Sequence, residues 1–252
     1  MTVVALFDID GTLLRAHGAG ARSIGAALET VFGTRGPADH RFDGKTDPQI
    51  VRELMTRAGI PDDEISAGMA AVLARYTELL AGELANAATV ELLPGVPALL
   101  DAVERDDALV LGLLTGNIAE GAALKLRAVG LEPSRFVIGA FGSDHHERPG
   151  LPPVALARAQ ATIDPSIDGA RLVIIGDTPN DLTCGRSIGA RAIGVETGRY
   201  GADELLPHDP VAVFADLRDT TRVLDALRGA PLHERGVRHA TAPATMQPGT
   251  AA

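Results

Sequence analysis

The chain has 252 residues, 46% of them hydrophobic, and a formal net charge of −10. This composition supplies a sizeable core, either as one large domain or as a domain with an insert. The negative charge argues against nucleic acid and anionic membranes as partners, because both need basic patches, but it does not exclude a small anionic ligand in a local pocket.

The first predicted element is an apolar strand at residues 3–7, which runs directly into Asp8, Asp10 and Gly11. An apolar run that ends in a glycine loop is the pattern of a buried strand followed by a tight turn. In an open parallel sheet, ligands bind beyond the carboxyl ends of the strands. Two carboxylates at one such end repel each other unless a shared proton or a cation balances them, and Mg²⁺ prefers oxygen ligands.

The next stretch, residues 18–92, has a helical pattern throughout. One apolar face is marked at helical spacing by residues 65, 69, 72, 73, 76, 79 and 80. Asp47 and Pro48 are predicted to cap and begin a helix. Glycines and a proline interrupt the pattern near residues 15–20 and 92–95, which predicts hinges on both sides of a helical insert.

From residue 96 onward, helical patterns alternate with strand-like runs. Helices are predicted at residues 96–104, 119–129, 153–162, 181–188 and 216–227, and strands at residues 109–114, 137–141, 172–175, 192–195 and 211–214. This alternation predicts an α/β fold with a doubly wound parallel sheet and helices on both faces. The last residues, 229–252, lack periodicity and are predicted to form a disordered tail.

Two further predicted strands end in polar residues. One is followed by Thr115, Gly116 and Asn117 at the start of a helix, which is a natural anion site, although an ordinary helix cap explains the motif as well. Another is followed by Asp177 and, four residues later, by Asp181. Helix capping and support of a metal ligand explain Asp181 equally well.

These three strand-end motifs, in this order, resemble the signatures of the haloacid dehalogenase superfamily, whose members are mostly Mg²⁺-dependent phosphatases. The resemblance runs from Val3 to about Asp219. It implies a Rossmann-like core formed by residues 1–17 and 93–228 and a small, all-helical cap domain of the C1 type formed by residues 18–92.

The resemblance also implies roles for individual residues. Asp8 is the nucleophile that becomes an aspartyl phosphate, and Asp10 protonates the leaving alcohol and then helps a water molecule attack. The cofactor is Mg²⁺, held by the Asp8 carboxylate, the Asp10 backbone carbonyl and Asp177. Asp181 supports these ligands without binding the ion itself. The phosphoryl group is bound by Thr115, Gly116 and Asn117.

The chain departs from the family's third signature, which is a lysine. Arg148 stands where that lysine is usual, and it keeps the positive charge with a different geometry. Lys45 lies in a glycine turn that resembles the substrate loop of some cap domains, but an exposed loop lysine is an equally good interpretation. Lys125, about two turns into the helix after Asn117, is expected to point away from the strand ends or along the helix flank.

The implied function is hydrolysis of a small phosphorylated metabolite by a monomer or homodimer that resembles phosphoglycolate phosphatases. A phosphomutase of the β-phosphoglucomutase type shares the same intermediate, and a non-catalytic metabolite-binding protein is a further alternative on this fold. An acid at Asp10 disfavours the dehalogenase and phosphonatase branches. An intact nucleophile at Asp8 argues against a binding protein.

Cysteine content and hydropathy indicate the compartment. The single cysteine, Cys184, excludes an internal disulfide and is expected to be a small buried residue rather than a reactive thiol. No run of about 18 apolar residues is present, and a strand close to the first residue leaves no room for a signal peptide. We therefore expect a cytoplasmic protein.

Overall fold

The computed structural model describes residues 1–85 and 90–230. Residues 86–89 of the helical insert lie outside the described part. The tail predicted at residues 229–252 also lies outside it, apart from its first two residues.

The strands form two sheets. They are β1 (Val3–Phe7), β2 (Leu14–Arg15), β3 (Glu91–Leu92), β4 (Leu109–Leu114), β5 (Ile138–Ala140), β6 (Leu172–Gly176), β7 (Arg191–Val195) and β8 (Ala212–Phe214). Six of them form one sheet in the order β5-β4-β1-β6-β7-β8, with every neighbouring pair parallel. This confirms the predicted doubly wound parallel sheet.

The register of the three central strands brings their carboxyl ends to one edge of the sheet. Phe7 of β1 pairs with Leu113 of β4 on one side and with Ile175 of β6 on the other. The residues that follow these strands therefore emerge next to one another. This alignment places the predicted strand-end motifs at a common site.

Helices cover both faces of the large sheet. The helices are α1 (Ala19–Phe32), α2 (Asp47–Arg57), α3 (Asp62–Leu84), α4 (Val96–Glu104), α5 (Ala119–Ala128), α6 (Leu151–Thr162), α7 (Pro179–Cys184), α8 (Ala202–Leu205) and α9 (Thr220–Arg228). Along β1, Ala5 and Phe7 join the apolar core under α4, α5 and α9, whereas Val4 and Leu6 join the core under α6. Successive side chains thus face opposite layers, as expected for a strand buried on both sides.

The helical insert consists of α1–α3, and α1 packs along α3. The expectation that it is helical throughout is wrong, because residues 33–46 form a loop between α1 and α2. Gly33, Gly36 and Gly44 adopt positive φ angles of 73°, 72° and 67° in this loop. Such angles end a helix, and here they lead the chain back toward the sheet.

Several predicted boundaries shift by a few residues. The helix predicted from residue 216 begins at Thr220, because the Asp219 side chain accepts a hydrogen bond from the Arg222 amide and caps it. The helix predicted at residues 181–188 begins at Pro179 and tightens into a 3₁₀ turn after Cys184. These shifts do not alter the topology.

The short strands β2 and β3 pair antiparallel where the chain leaves and re-enters the large sheet. Leu14 pairs with Leu92 and Arg15 with Glu91. Both crossings to the helical insert are therefore tied together, close to the two predicted hinges. No helix in the described part of the chain is long and apolar enough to span a membrane.

Candidate active site

A pocket of about 340 Å³ lies at the carboxyl edge of the sheet, beneath the helical insert. Its wall includes all but one of the residues predicted for the site, namely Asp8, Asp10, Lys45, Thr115, Gly116, Asn117, Arg148 and Asp177. The remaining predicted residue, Asp181, is fully buried next to Arg148. The structure thus brings the predicted residues together, while their individual roles stay predictions.

Arg148 links two carboxylates at the base of the pocket. Its Nη2 atom lies 3.3 Å from Asp8 Oδ1 and also forms an ion pair with Asp181. All three side chains are at most 7% exposed, so these pairs are poorly screened by solvent. Arg148 is therefore placed where the family lysine was expected, beside the predicted nucleophile.

Three buried carboxylates surround this one guanidinium. Oxygen atoms of Asp8, Asp177 and Asp181 lie within 4.8 Å of one another. Three carboxylates and one guanidinium give this buried cluster a formal net charge of −2. Burial, with the neighbouring carboxylates, raises the pKa of Asp8 to about 6 and that of Asp177 well above its usual value. A divalent cation fits this cluster, because it balances the charge and takes oxygen ligands.

Asp181 caps α7, as its sequence position suggested, and it also pairs with Arg148, while its support of a metal ligand stays a prediction. Its Oδ2 atom accepts hydrogen bonds from the Thr178 amide at 2.9 Å and from the Thr178 hydroxyl at 2.7 Å, which completes a capping box at α7. Its Oδ1 atom is paired with Arg148. Both oxygens are thus engaged, so Asp181 orients Arg148, and Asp8 and Asp177 remain the better candidates for direct metal ligands.

Two glycines allow the chain to pass close to Asp177. Gly11 has a φ of +81°, and a Cβ atom there would lie 2.5 Å from Asp177 Oδ2. A Cβ atom on Gly198 would lie 1.7 Å from the same oxygen. Gly198 carries no signal in the sequence, since a glycine after a strand does not indicate which residue approaches it in space.

The second strand-end motif forms a hydrogen-bonded chain that reaches Asp10. The Asn117 side-chain amide donates to the Thr115 hydroxyl and to Asp10 Oδ2, both at 2.8 Å. The Thr115 hydroxyl also accepts from the Asn117 backbone amide at 3.3 Å. With two hydrogen bonds accepted, the Thr115 hydroxyl retains its own proton as a donor, and no described residue accepts it.

Lys125 belongs to the same group, and the expectation that it points away from the strand ends is wrong. Its ammonium lies 2.6 Å from Asp10 Oδ2 and 2.6 Å from Asn117 Oδ1. The residue is only 4% exposed. Helical side chains lean toward the helix N-terminus, so a long side chain two turns into α5 reaches back to the sheet edge.

The loop before α2 docks the helical insert onto the sheet edge. The Asp47 amide donates to the Gly116 carbonyl at 2.8 Å, and the Asp47 carboxylate accepts from the Ile118 amide at 2.9 Å, at the start of α5. The Asn180 side chain donates to the Gly44 carbonyl at 3.1 Å. These contacts join the insert to two separate segments of the α/β core, the loop before α5 and the first turn of α7.

The prediction that Asp47 caps its own helix is wrong. Thr46 is the N-cap of α2, and its hydroxyl accepts from the Gln49 amide at 3.2 Å. Asp47 is thereby free to cap α5, which lies in a different part of the sequence. A long-range cap of this kind depends on how the insert docks, so no local pattern indicates it.

Asp47 gives a testable pH dependence of stability. Burial raises its pKa from 3.8 to about 6 even though Lys125 opposes the shift. The folded state therefore binds this proton more tightly than the unfolded state does, and wild-type stability is lost as the pH rises from about 4 to about 6. Asp47→Asn keeps an oxygen for the Ile118 amide and removes the titration.

We expect the melting temperature of Asp47→Asn, relative to that of the wild type, to rise as the pH increases from 4 to 7. A difference of about 2 pKa units corresponds to about 3 kcal/mol, which is several degrees at this chain length. Thermal melts across this range measure the gap, with Asp168→Asn, a change at an exposed carboxylate, as the control. A gap that stays constant over the whole range would contradict the prediction.

Lys45 reaches the pocket wall but is paired within the insert. Its ammonium forms an ion pair with Glu53 and lies 3.5 Å from His40 Nε2. Its side chain is 22% exposed. Substrate binding by Lys45 therefore stays a prediction.

Cys184 follows the expectation for a small core residue. It is buried, and burial raises the pKa of its thiol to about 12. A thiol with such a pKa is protonated at neutral pH and is a poor nucleophile. The pocket chemistry therefore depends on oxygen and nitrogen groups.

The family model for haloacid dehalogenase-like hydrolases matches residues 5–186. The chain belongs to this family. The matched segment contains all three strand-end motifs and Arg148. Residues of these haloacid dehalogenase-like signatures therefore line the pocket.

Relatives of known sequence or structure agree with this membership. The chain is 28% identical to the pyrophosphatase PpaX of Bacillus pumilus over 124 residues, which are 49% of this chain and 56% of that protein. The match therefore spans just over half the length of this relative.

Solved structures share the haloacid dehalogenase-like fold over most of the chain. A hydrolase from Pseudomonas syringae superposes with a TM-score of 0.69 at 21% identity, covering 89% of this chain and 98% of that one. A predicted phosphoglycolate phosphatase from Haemophilus somnus superposes with a TM-score of 0.65 at 20% identity, with the same coverage. At these identities the likeness concerns the fold.

Proposed function

We propose that the protein is a Mg²⁺-dependent phosphatase that hydrolyses a small phosphorylated metabolite through an aspartyl phosphate on Asp8. The observation that carries this proposal is the buried cluster at the base of the pocket. There a potential nucleophile, Asp8, lies beside one guanidinium and two further carboxylates, with a formal net charge of −2. A site of this kind combines a covalent catalyst with room for a cation and an anionic phosphoryl group.

The residues that would hold Mg²⁺ are Asp8, Asp177 and the backbone carbonyl of Asp10. When bound, the ion neutralises charge on the phosphoryl oxygens. Thr12 supports this arrangement, because its hydroxyl donates to Asp177 Oδ1 at 3.3 Å.

The reaction has two balanced steps. A carboxylate oxygen of Asp8 bonds to phosphorus while the bond from phosphorus to the leaving oxygen breaks, and Asp10 gives that oxygen its proton. A water molecule then attacks the phosphorus, Asp10 takes up a proton of this water, and the bond to Asp8 breaks. Inorganic phosphate leaves, and both carboxyl groups return to their starting states.

Two buried donors on residues that line the pocket lack acceptors among the described residues. The Thr115 hydroxyl proton has no acceptor in the described chain, and the buried Nε atom of Arg148 likewise has no partner among the described residues. Buried donors are seldom left unpaired, so these two groups fit a site that binds an anion. The Gly116 amide, just before α5, completes the proposed phosphate site, and Asn117 takes part by holding the Thr115 hydroxyl with its own amides.

We assign residues 18–92 as a cap over a core formed by residues 1–17 and 93–228. The pocket beneath the insert holds about 340 Å³, which suits a small leaving group. The similarity to a pyrophosphatase and to a predicted phosphoglycolate phosphatase supports small phosphorylated substrates.

The function is tested by incubating the purified protein with a panel of phosphorylated metabolites, with and without Mg²⁺. We expect inorganic phosphate to be released only when Mg²⁺ is present. Isomerisation of a sugar phosphate without net phosphate release would identify a phosphomutase instead. Binding of metabolites with no turnover of any substrate, aryl phosphates included, would identify a non-catalytic protein.

The role of Asp10 gives a separate prediction. Asp10→Asn should lower kcat/KM for alkyl phosphates by about 10²-fold, and much less for aryl phosphates whose leaving group needs no proton. This ratio reports the steps up to cleavage of the ester bond, so later hydrolysis of the intermediate does not obscure the comparison. Equal losses for alkyl and aryl substrates would contradict the general-acid role.

A further inference from the structure

Asp10 presents its two carboxylate oxygens to different surroundings. Its Oδ2 atom accepts hydrogen bonds from Lys125 at 2.6 Å and from the Asn117 amide at 2.8 Å. Its Oδ1 atom has no partner in the described part of the chain. The side chain is 43% exposed and lies on the pocket wall.

The Lys125 ammonium is held from several directions. Asn117 Oδ1 accepts its second hydrogen bond, at 2.6 Å. The helical insert closes over it, since a Cβ atom on Gly20 of α1 would lie 3.4 Å from the ammonium nitrogen. The buried ammonium thus makes two short hydrogen bonds, one to a carboxylate and one to an amide oxygen, and has little freedom to move.

We propose that Lys125 is the positioning residue of the general acid Asp10, fixing Oδ2 so that Oδ1 is the atom that carries the proton. This inference rests on the proposed function, because it assumes that Asp10 acts as the acid. An oxygen that accepts from both an ammonium and an amide is a poor site for a proton. When Asp10 acts as the acid, Oδ1 is therefore the oxygen that delivers the proton, and the fixed Oδ2 sets the direction of delivery.

The alternative is a purely structural role, in which Lys125 only neutralises buried charge. A structural lysine and a positioning lysine differ in which substrates lose rate on its removal. Loss of structure lowers the rate for every substrate, whereas loss of acid positioning affects only leaving groups that need a proton.

The test compares Lys125→Met, Asp10→Asn and the double variant in the full chain with Mg²⁺. The rates are measured with an alkyl phosphate and with 4-nitrophenyl phosphate. Lys125→Met should lower kcat/KM for the alkyl substrate by about 30-fold and that for 4-nitrophenyl phosphate by less than about 3-fold. The double variant should be no slower than Asp10→Asn, because both changes remove the same function.

Two further variants control for folding and charge. Arg127→Met alters an exposed residue on the same helix and should leave all rates unchanged. Lys125→Arg keeps the charge and should recover part of the alkyl rate. If Lys125→Met fails to fold, Lys125→Gln takes its place, because glutamine keeps a hydrogen-bond donor. Its loss of rate should depend on the leaving group in the same way but should be smaller.

The failure of this inference differs from the failure of the proposed function. A leaving-group-dependent loss in Asp10→Asn together with a uniform loss in Lys125→Met or Lys125→Gln overturns the positioning role alone. A further loss in the double variant does the same. A uniform loss in Asp10→Asn itself removes the general-acid role and the positioning role with it.

Discussion

Asp8→Asn is expected to lower turnover by at least about 10³-fold while the fold is retained. The carboxamide has nearly the same size as the carboxylate but cannot form the covalent phosphoryl intermediate. The fold should survive, because Arg148 keeps its ion pair with Asp181. Burial already raises the pKa of Asp8 to about 6, so a neutral side chain relieves repulsion with its neighbours.

Turnover and melting temperature of Asp8→Asn are measured beside Asp168→Asn. Asp168 is exposed and lies just before β6, at the opposite edge of the sheet, so its substitution should change neither quantity. Beryllofluoride or radiolabelled phosphate should mark Asp8 in the wild type. Turnover of Asp8→Asn within about tenfold of the wild type would rule out the covalent mechanism.

Arg148→Ala is the second change with a large expected effect, on both turnover and stability. Among the described residues, Arg148 supplies the only guanidinium at the cluster of Asp8, Asp177 and Asp181, and the substitution removes it. Breaking a buried ion pair by removing one partner typically costs about 3–5 kcal/mol. Losing a donor that stabilises transition-state charge costs about 10²–10³-fold in turnover.

Arg148→Lys should recover most of both losses. The contacts with Asp8 and Asp181 are made by the same Nη2 atom, so a single ammonium can replace the guanidinium there. Turnover within about tenfold of the wild type is expected for this variant. Arg127→Ala, on the exposed side of α5, is the control. An inactive Arg148→Lys protein with normal stability would show that the fork of the guanidinium is needed, contrary to this prediction.

The parallel sheet and its acidic edge could be predicted from sequence because their signals are local. Five apolar residues before Asp8 and a similar run before Asp177 predict buried strands. Parallel pairing then brings both strand ends to one edge, whatever lies between them in the chain. The position of Arg148 follows from the same rule, since it lies in the loop after β5.

The contributions of Lys125 and Asp47 could not be predicted in this way. Lys125 reaches the sheet edge because its side chain leans back along α5, and sequence spacing alone does not give the helix rotation. Asp47 caps α5 only because the insert docks on the sheet edge. Both depend on packing between segments far apart in the sequence, as does the approach of Gly198 to Asp177.

The distribution of amines has a practical consequence. The sequence contains only two lysines, Lys45 and Lys125, and both line the pocket. The cations on the outer surface are guanidinium groups, which do not react with acylating reagents or in reductive methylation. Apart from the N-terminal amine, a reagent specific for primary amines therefore has targets only in the pocket, and its reaction reports on whether that pocket is covered.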